Sequence, residues 1–213
     1  MGIYLKPATQ EKEMFLKQRN NHLSILILIF IVILPLKLQA NSNFITIKKS
    51  LNNYLENINN FSANFIQFSG EDISEGFIYI KEQRIKIDYI HPSKITIILA
   101  KNKAMYFNKD LNEVEYFNPG KTLGNVFLNI FYNKSFFNKS ELYSRENTLV
   151  IEKKVKIKED SRILNIFFET SPLTLRRMQI KNSDESLVLS ISNINYNSSF
   201  EKNFFSMVNP KLK

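Results

Sequence analysis

The run Arg84-Ile85-Lys86-Ile87-Asp88-Tyr89 sets a strict limit on the fold. Apolar residues stand at every second position, with charged ones between them. A period of two puts alternate side chains on opposite faces of an extended strand, and a helix cannot gather them on one side. The same alternation predicts strands over 61–68, 76–81, 84–90, 94–100, 104–108 and 113–117. It resumes over 141–144, 148–157, 162–170, 175–181 and 187–196. The breaks are short and turn-like: Ser69-Gly70, Glu82-Gln83, His91-Pro92-Ser93, Lys101-Asn102-Lys103 and Asn108-Lys109-Asp110. Such spacing reads as successive antiparallel hairpins. About eleven strands in a domain this small require a twisted, curled sheet.

Two segments leave the period of two. In residues 45–58, Ile47, Leu51, Tyr54, Leu55 and Ile58 are spaced 4, 3, 1 and 3, one face of a helix. Asn43 or Thr46 is its expected cap, and Asn59-Asn60 its expected end. Past Asn118-Pro119-Gly120, residues 121–132 carry Leu123, Val126, Phe127, Ile130 and Phe131 on a second stripe, widened by Leu128 and Tyr132. Two amphipathic helices are the natural cover for one face of the sheet. The residues alone leave two outcomes open: a closed barrel or sandwich with an ordinary core, or an incomplete barrel with helices over an apolar cavity.

The N-terminus carries a targeting pattern. Residues 23–36 read LSILILIFIVILPL without a charge, preceded by Lys17 and Arg19 and followed by Leu38-Gln39-Ala40. This is a basic, apolar and cleavable arrangement, predicting a signal peptide over 1–40 cut after Ala40 and a domain over 41–213. The apolar run is shorter than the about 20 residues a spanning helix needs. Leu38 at the third position before the cut favours the competing reading, an uncleaved anchor. Met14 gives a more ordinary leader and is an alternative start. Removal of five basic and two acidic residues leaves 24 basic and 18 acidic ones, taking the net charge from +9 to +6.

That charge excludes little by itself. Export argues against nucleic acid, and the lysines are scattered; after Lys154, the run Glu152 to Lys158 alternates basic and apolar like the wet face of a strand. What remains is a mildly basic surface suited to anionic membranes or acidic partners. With no cysteine, the exported domain must be held by its core, which its length allows, and it cannot carry a lipid on Cys. A soluble periplasmic protein fits best.

Catalytic signals are missing from the sequence. His91 is the single histidine past residue 40, it precedes a proline, and no Cys or second His makes a zinc set. No nucleophile elbow, P-loop or dinucleotide fingerprint is present. Asp72, Glu75 and Asp88 are the carboxylates to test, though nothing singles out a pair. The expectation is therefore no catalytic residue, no metal and no cofactor. Tyr and Phe supply 27 of the 213 residues. They serve equally as core or as the walls of a lipid pocket.

The order of the segments resembles a known family. Ser62-Ala63-Asn64-Phe65-Ile66-Gln67 follows the first helix. Then come Glu75-Gly76-Phe77-Ile78-Tyr79-Ile80-Lys81, Arg84 to Tyr89 with Pro92, and Met105-Tyr106-Phe107-Asn108. Leu175-Arg176-Arg177-Met178-Gln179-Ile180 and a closing Asn203-Phe204-Phe205-Ser206-Met207-Val208-Asn209-Pro210 complete the set. This is similar to the periplasmic outer-membrane lipoprotein carriers, the LolA-like family, over residues 44–210. No single motif is specific; the ordered set carries the likeness.

The resemblance implies a mainly β fold, an unclosed antiparallel barrel whose helices form a lid over an apolar cavity. It implies a carrier that takes acylated lipoproteins from an inner-membrane ABC-type releasing complex and delivers them to an outer-membrane receptor, acting as a monomer. Ile85, Ile87, Tyr89, Ile97, Leu99 and Tyr106 are then candidates for the cavity face. Leu123, Val126, Phe127, Ile130 and Phe131 are candidates for the lid, with a permanently docked core helix as the competing reading. The family's Arg-Pro-Gly turn is replaced by Glu82-Gln83, so Arg84 is the candidate coupling arginine by default. Asn102 stands for a hairpin glycine, and Tyr89 and Tyr106 for a missing Trp. Rivals are a lipid- or lipoprotein-sensing module on the same scaffold, a secreted enzyme, and a purely structural exported protein.

Overall fold

The computed structural model describes residues 36–58 and 60–212, with side chains from Thr46 onward. The apolar leader before Leu36, and Met14, lie outside the described residues. The chain divides into two units, Met1–Lys49 and Ser50–Lys213; the sheet, the second helix and the last turns of the first helix belong to the latter.

Among the described residues eleven strands form: β1 (Asn60–Ser69), β2 (Asp72–Lys81), β3 (Arg84–His91), β4 (Ile95–Leu99), β5 (Ala104–Asn108), β6 (Glu113–Phe117), β7 (Glu141–Arg145), β8 (Thr148–Ile157), β9 (Asp160–Thr170), β10 (Leu173–Lys181) and β11 (Ser186–Asn195). The α-helices among these residues are α1 (Leu36–Asn57) and α2 (Leu123–Tyr132). All strands join one antiparallel sheet ordered β6-β5-β4-β3-β2-β1-β11-β10-β9-β8-β7. The sheet does not close: β6 and β7 are its two edges. The chain runs outward along one wing to β6 and crosses through α2. It re-enters at the far edge and returns until β11 zips against β1.

Two helix boundaries differ from expectation. α1 begins at Leu36 rather than near Ile45, so neither Asn43 nor Thr46 is its cap. The cause is local: Pro35 stands just before Leu36, and no Gly or Pro interrupts the chain from there to Asn57. It ends at Asn57, and Asn60 already belongs to β1. α2 starts after a 3-10 turn over Pro119–Lys121, with Thr122 accepting from the Gly124 N–H as its cap.

Register explains the parity of the strands. Phe61, Ile80, Ile85, Leu99 and Ala104 lie side by side across β1 to β5. The next row is Ala63, Ile78, Ile87, Ile97 and Tyr106, and the next Phe65, Gly76, Tyr89 and Ile95. Gly76 sits at a bulge, where a Cβ would lie 2.0 Å from the Asp88 carbonyl oxygen, so no side chain fits there. The Glu82-Gln83 turn has φ of 49° and 61°, the conformation of a type I′ hairpin, built without glycine or asparagine.

The outer face of the first wing has a core of its own. Residues 196–212 run back across β1, β2, β3 and β6. The Ser62 and Ser198 hydroxyls meet at 2.6 Å, Phe204 stands edge-on to Tyr79 at 4.9 Å, and the Tyr116 hydroxyl donates to the Met207 carbonyl at 2.9 Å. Phe200, Phe204 and Phe205 pack together there, and Thr96, Ile98 and Met105 are buried on this face.

Candidate functional site: the inner face of the sheet and its covering helices

The inner face is apolar because hairpins preserve parity. Ile85, Ile87 and Tyr89 alternate in β3, and antiparallel register hands their face on to Ile97 and Leu99 and then to Tyr106. All six residues expected on the cavity side therefore share one face. Ile85, Ile87 and Leu99 are buried; Tyr89, Ile97 and Tyr106 are half-buried. Phe65 meets the Tyr89 ring edge-on at 5.1 Å, and the Tyr89 hydroxyl donates to Gln67 Oε1 at 2.9 Å. Burial pushes the Tyr89 phenol up, so it stays neutral.

α2 rests on the row that runs from Phe61 to Leu99 and Ala104. Gly124 comes so close to Leu99 that a Cβ would stand 3.0 Å from its Cδ2. Phe131 meets Phe61 with ring centres 6.3 Å apart. Val126, Phe127, Ile130 and Phe131 are buried, as is Leu128, while Leu123 is half-buried. The last residue of the helix adds a polar tether: the Tyr132 hydroxyl donates to the Arg84 carbonyl at 3.0 Å. Burial drives that phenol well above the ordinary tyrosine range, so it remains a donor.

Arg84 points elsewhere. Its guanidinium lies on the outer side and donates from Nη1 to the Phe205 carbonyl at 3.2 Å. Arg84 thus touches the lid candidate through its backbone and the C-terminal segment through its side chain.

A cleft of about 490 Å³ opens between the C-terminal ends of the two helices. Leu55 of α1 and Ile58 just past its end, Ile130, Phe131 and Tyr132 of α2, and Phe137 form its apolar walls. Asn52, Glu56, Asn133 and Lys134 form a polar rim, across which Lys134 Nζ and Glu56 Oε1 pair at 3.0 Å. None of the six expected cavity residues is a wall of this cleft; they lie in the packed layer of the sheet. Sequence reasoning missed Phe137, which sits outside any periodic segment, whereas Leu55 and Ile58 were already marked by the stripe of the first helix.

On the other wing, Tyr54 of α1 meets Phe168 edge-on at 5.5 Å. Its hydroxyl accepts from the Leu175 N–H at 3.1 Å and bonds the Tyr196 hydroxyl at 2.9 Å. Burial, and then the Tyr196 bond, push its pKa far up. Among the described residues no three His, Asp or Glu side chains converge as a metal set. The three carboxylates marked for testing are dispersed: Asp72 and Glu75 are exposed in β2, and Asp88 pairs with Lys86 at 3.2 Å on the outer face. The arrangement is a greasy sheet layer, a helix held on it largely by packing, and an opening between helices, which is suited to sheltering an apolar chain.

The sequence model of the family described as outer membrane lipoprotein carrier protein LolA matches residues 56–208. The chain belongs to the LolA family. The match starts in the last turns of α1 and ends in the C-terminal segment, so it takes in the whole sheet, α2 and the cleft walls from Glu56 onward. No curated protein sequence matches the chain. Among solved structures, an uncharacterized conserved protein from Thermus thermophilus has a TM-score of 0.51 at 6% identity, covering 75% of this chain and 92% of that one. That likeness is one of fold. A domain described as an outer membrane lipoprotein-sorting protein domain, from Vibrio parahaemolyticus, scores 0.41 at 11% identity, covering 74% and 96%. The MucA/MucB complex of Pseudomonas aeruginosa scores 0.44 at 7% identity, covering 73% of this chain and 60% of that one. The LolA fold thus accounts for the open sheet, and the family is one of carriers rather than enzymes.

Proposed function

We propose that this protein is a periplasmic carrier that binds the acyl chains of lipoproteins released from the inner membrane and delivers them to the outer membrane. The observation that carries the reading is α2, an apolar helix held on an apolar sheet face by side-chain packing and one hydroxyl tether. Its donors upstream are an inner-membrane ABC-type releasing complex, and its acceptor an outer-membrane lipoprotein receptor; the carrier itself works as a monomer. Residues 1–40 are the cleaved export signal.

The energetics suit an exchange. Lifting α2 uncovers five buried side chains, at about 1.5–3 kcal/mol each, so roughly 10 kcal/mol in all. A single myristoyl-length chain, about 12 methylenes at ~0.8 kcal/mol each, recovers a similar amount when sheathed. One chain roughly balances the lid, and two or three tip it open. In the empty state Leu99 lies under the helix beside the buried Ile85 and Ile87; in the loaded state these three, with Tyr89, Ile97 and Tyr106, would face the acyl chains.

The test is transfer. The exported protein, incubated with inner membranes carrying an acylated lipoprotein, should bring that lipoprotein into solution and release it to outer membranes. Co-purification from the periplasm followed by mass spectrometry should find acylated partners. A lipoprotein that stays on the inner membrane with the protein in excess would sink the carrier reading.

A further inference from the structure

A second hollow, also about 490 Å³, lies on the opposite side of the sheet beside the C-terminal segment. Arg84, Lys103 and Lys202 stand in its walls, with Met207 and Val208, and no carboxylate does. Among the described residues, no ion pair joins any of these three cations to an Asp or Glu. Arg84 spends one N–H on the Phe205 carbonyl, and Lys103 Nζ sits 4.6 Å from the centre of the Tyr116 ring. The contrast is a third hollow, walled by Lys154, Arg162 and Lys181. There the arginine is already neutralised, 3.6 Å from Asp160 and 3.7 Å from Glu185.

Three like charges collected without a counter-charge repel one another, and an anion entering among them relieves that repulsion. The rim says which kind of anion. Val208 is 57% exposed and Tyr116 45% exposed, both against the cationic cluster, with the Tyr116 hydroxyl fastened to the Met207 carbonyl. Cations beside an exposed aliphatic group and a tyrosine match a bilayer interface, where phosphates lie above the acyl boundary and Tyr rings favour the headgroup level.

We propose that this face docks on an anionic phospholipid surface, with lipid phosphates received by Arg84, Lys103 and Lys202 and with Val208 and Tyr116 lodged among the headgroups. The site lies on the other side of the sheet from the inner face and does not depend on it: a protein that binds vesicles but shelters no acyl chain refutes the carrier reading and leaves this one intact.

Flotation with vesicles tests it, using the processed, exported protein. Binding should be strong to phosphatidylcholine vesicles with added phosphatidylglycerol, weak to phosphatidylcholine alone, and should fall as salt rises. Lys103→Glu with Lys202→Glu should weaken it at least about tenfold, since each basic residue near such a surface counts for about fivefold. Lys202→Gln, a milder change at an exposed position, guards against misfolding of the double variant and should cost about fivefold. Lys154→Glu with Lys181→Glu makes the same charge change at the hollow whose arginine is paired, and should change binding less than about twofold. Equal losses from the two double variants, equal binding to both vesicle types, or capture by poly-glutamate without vesicle binding would each overturn the assignment.

Discussion

Replacing Tyr132 by Phe asks whether α2 is a lid or a fixture. The change keeps the ring among its neighbours and removes one hydrogen bond, from the phenol to the Arg84 carbonyl. A bond of this kind contributes about 0.5–1.5 kcal/mol net. The freed carbonyl lies at a hairpin end within reach of water, which limits the loss. If acyl binding requires α2 to lift, apparent affinity is the intrinsic affinity scaled by the open fraction. Weakening the closed state by that amount raises the open fraction by about two- to tenfold, and affinity for a fluorescent fatty-acid probe should rise equally. Amide exchange over residues 123–132 should quicken by the same factor, while the amides of β1 and β11 keep their protection. A permanently docked helix gives the same modest fall in thermal midpoint but no gain in probe affinity. Unchanged or weaker probe binding, with unaltered exchange in α2, would refute the lid.

Four further outcomes follow from the geometry. Glu82→Asn with Gln83→Gly should raise stability by about 1–2 kcal/mol, read as a higher urea midpoint, because both residues occupy a left-handed conformation costly for ordinary side chains; a lower midpoint would refute the turn assignment. Gly76→Ala should cost about 3 kcal/mol or more, seen as insoluble expression or lost near-ultraviolet dichroism, since its Cβ meets backbone that cannot step aside. Phe204→Ala should lower stability by roughly 2–3 kcal/mol in a denaturant melt through lost contact with Tyr79 and Lys86, yet leave probe binding on the inner face unchanged. Finally, Tyr54, Tyr89 and Tyr132 keep their protons in the fold above the value of the unfolded chain, about 10. Stability from this source is intact below pH 10 and is lost as pH rises beyond it, because the unfolded chain sheds phenolic protons that the folded one retains. Unfolding midpoints should be flat to about pH 9 and fall above 10, and Tyr54→Phe should soften the fall.

Most of the sheet was legible because its signal is local. Period two and short turns locate all eleven strands, and parity places Ile85, Ile87, Tyr89, Ile97, Leu99 and Tyr106 on one face. Parity also decides Arg84: it shares its face with Lys86 and Asp88, so its guanidinium points outward. Pairing of β1 with β11 leaves no local trace, since nothing in either strand names its distant neighbour. The outer core was hidden for two reasons. Lys86, Asp88 and Thr96 make that face look wet, and Phe200, Phe204 and Phe205 lie in irregular backbone with no period to read. The start of α1 lies upstream of its expected caps, Asn43 and Thr46, because the sequence before them is uninterrupted and helix-compatible.

The seam between β1 and β11 also fixes an order of events. Phe65 faces Ile191 across it, so the sheet's central pairing joins residues more than a hundred positions apart. Every hairpin on either side can form early and cheaply, but the two wings stay separate until the last strand arrives. Folding of this topology is slow by nature, and it cannot finish on a nascent chain that lacks residues 186–195. On the proposed export route that delay is useful: the two wings stay unjoined until the C-terminal strand completes the sheet.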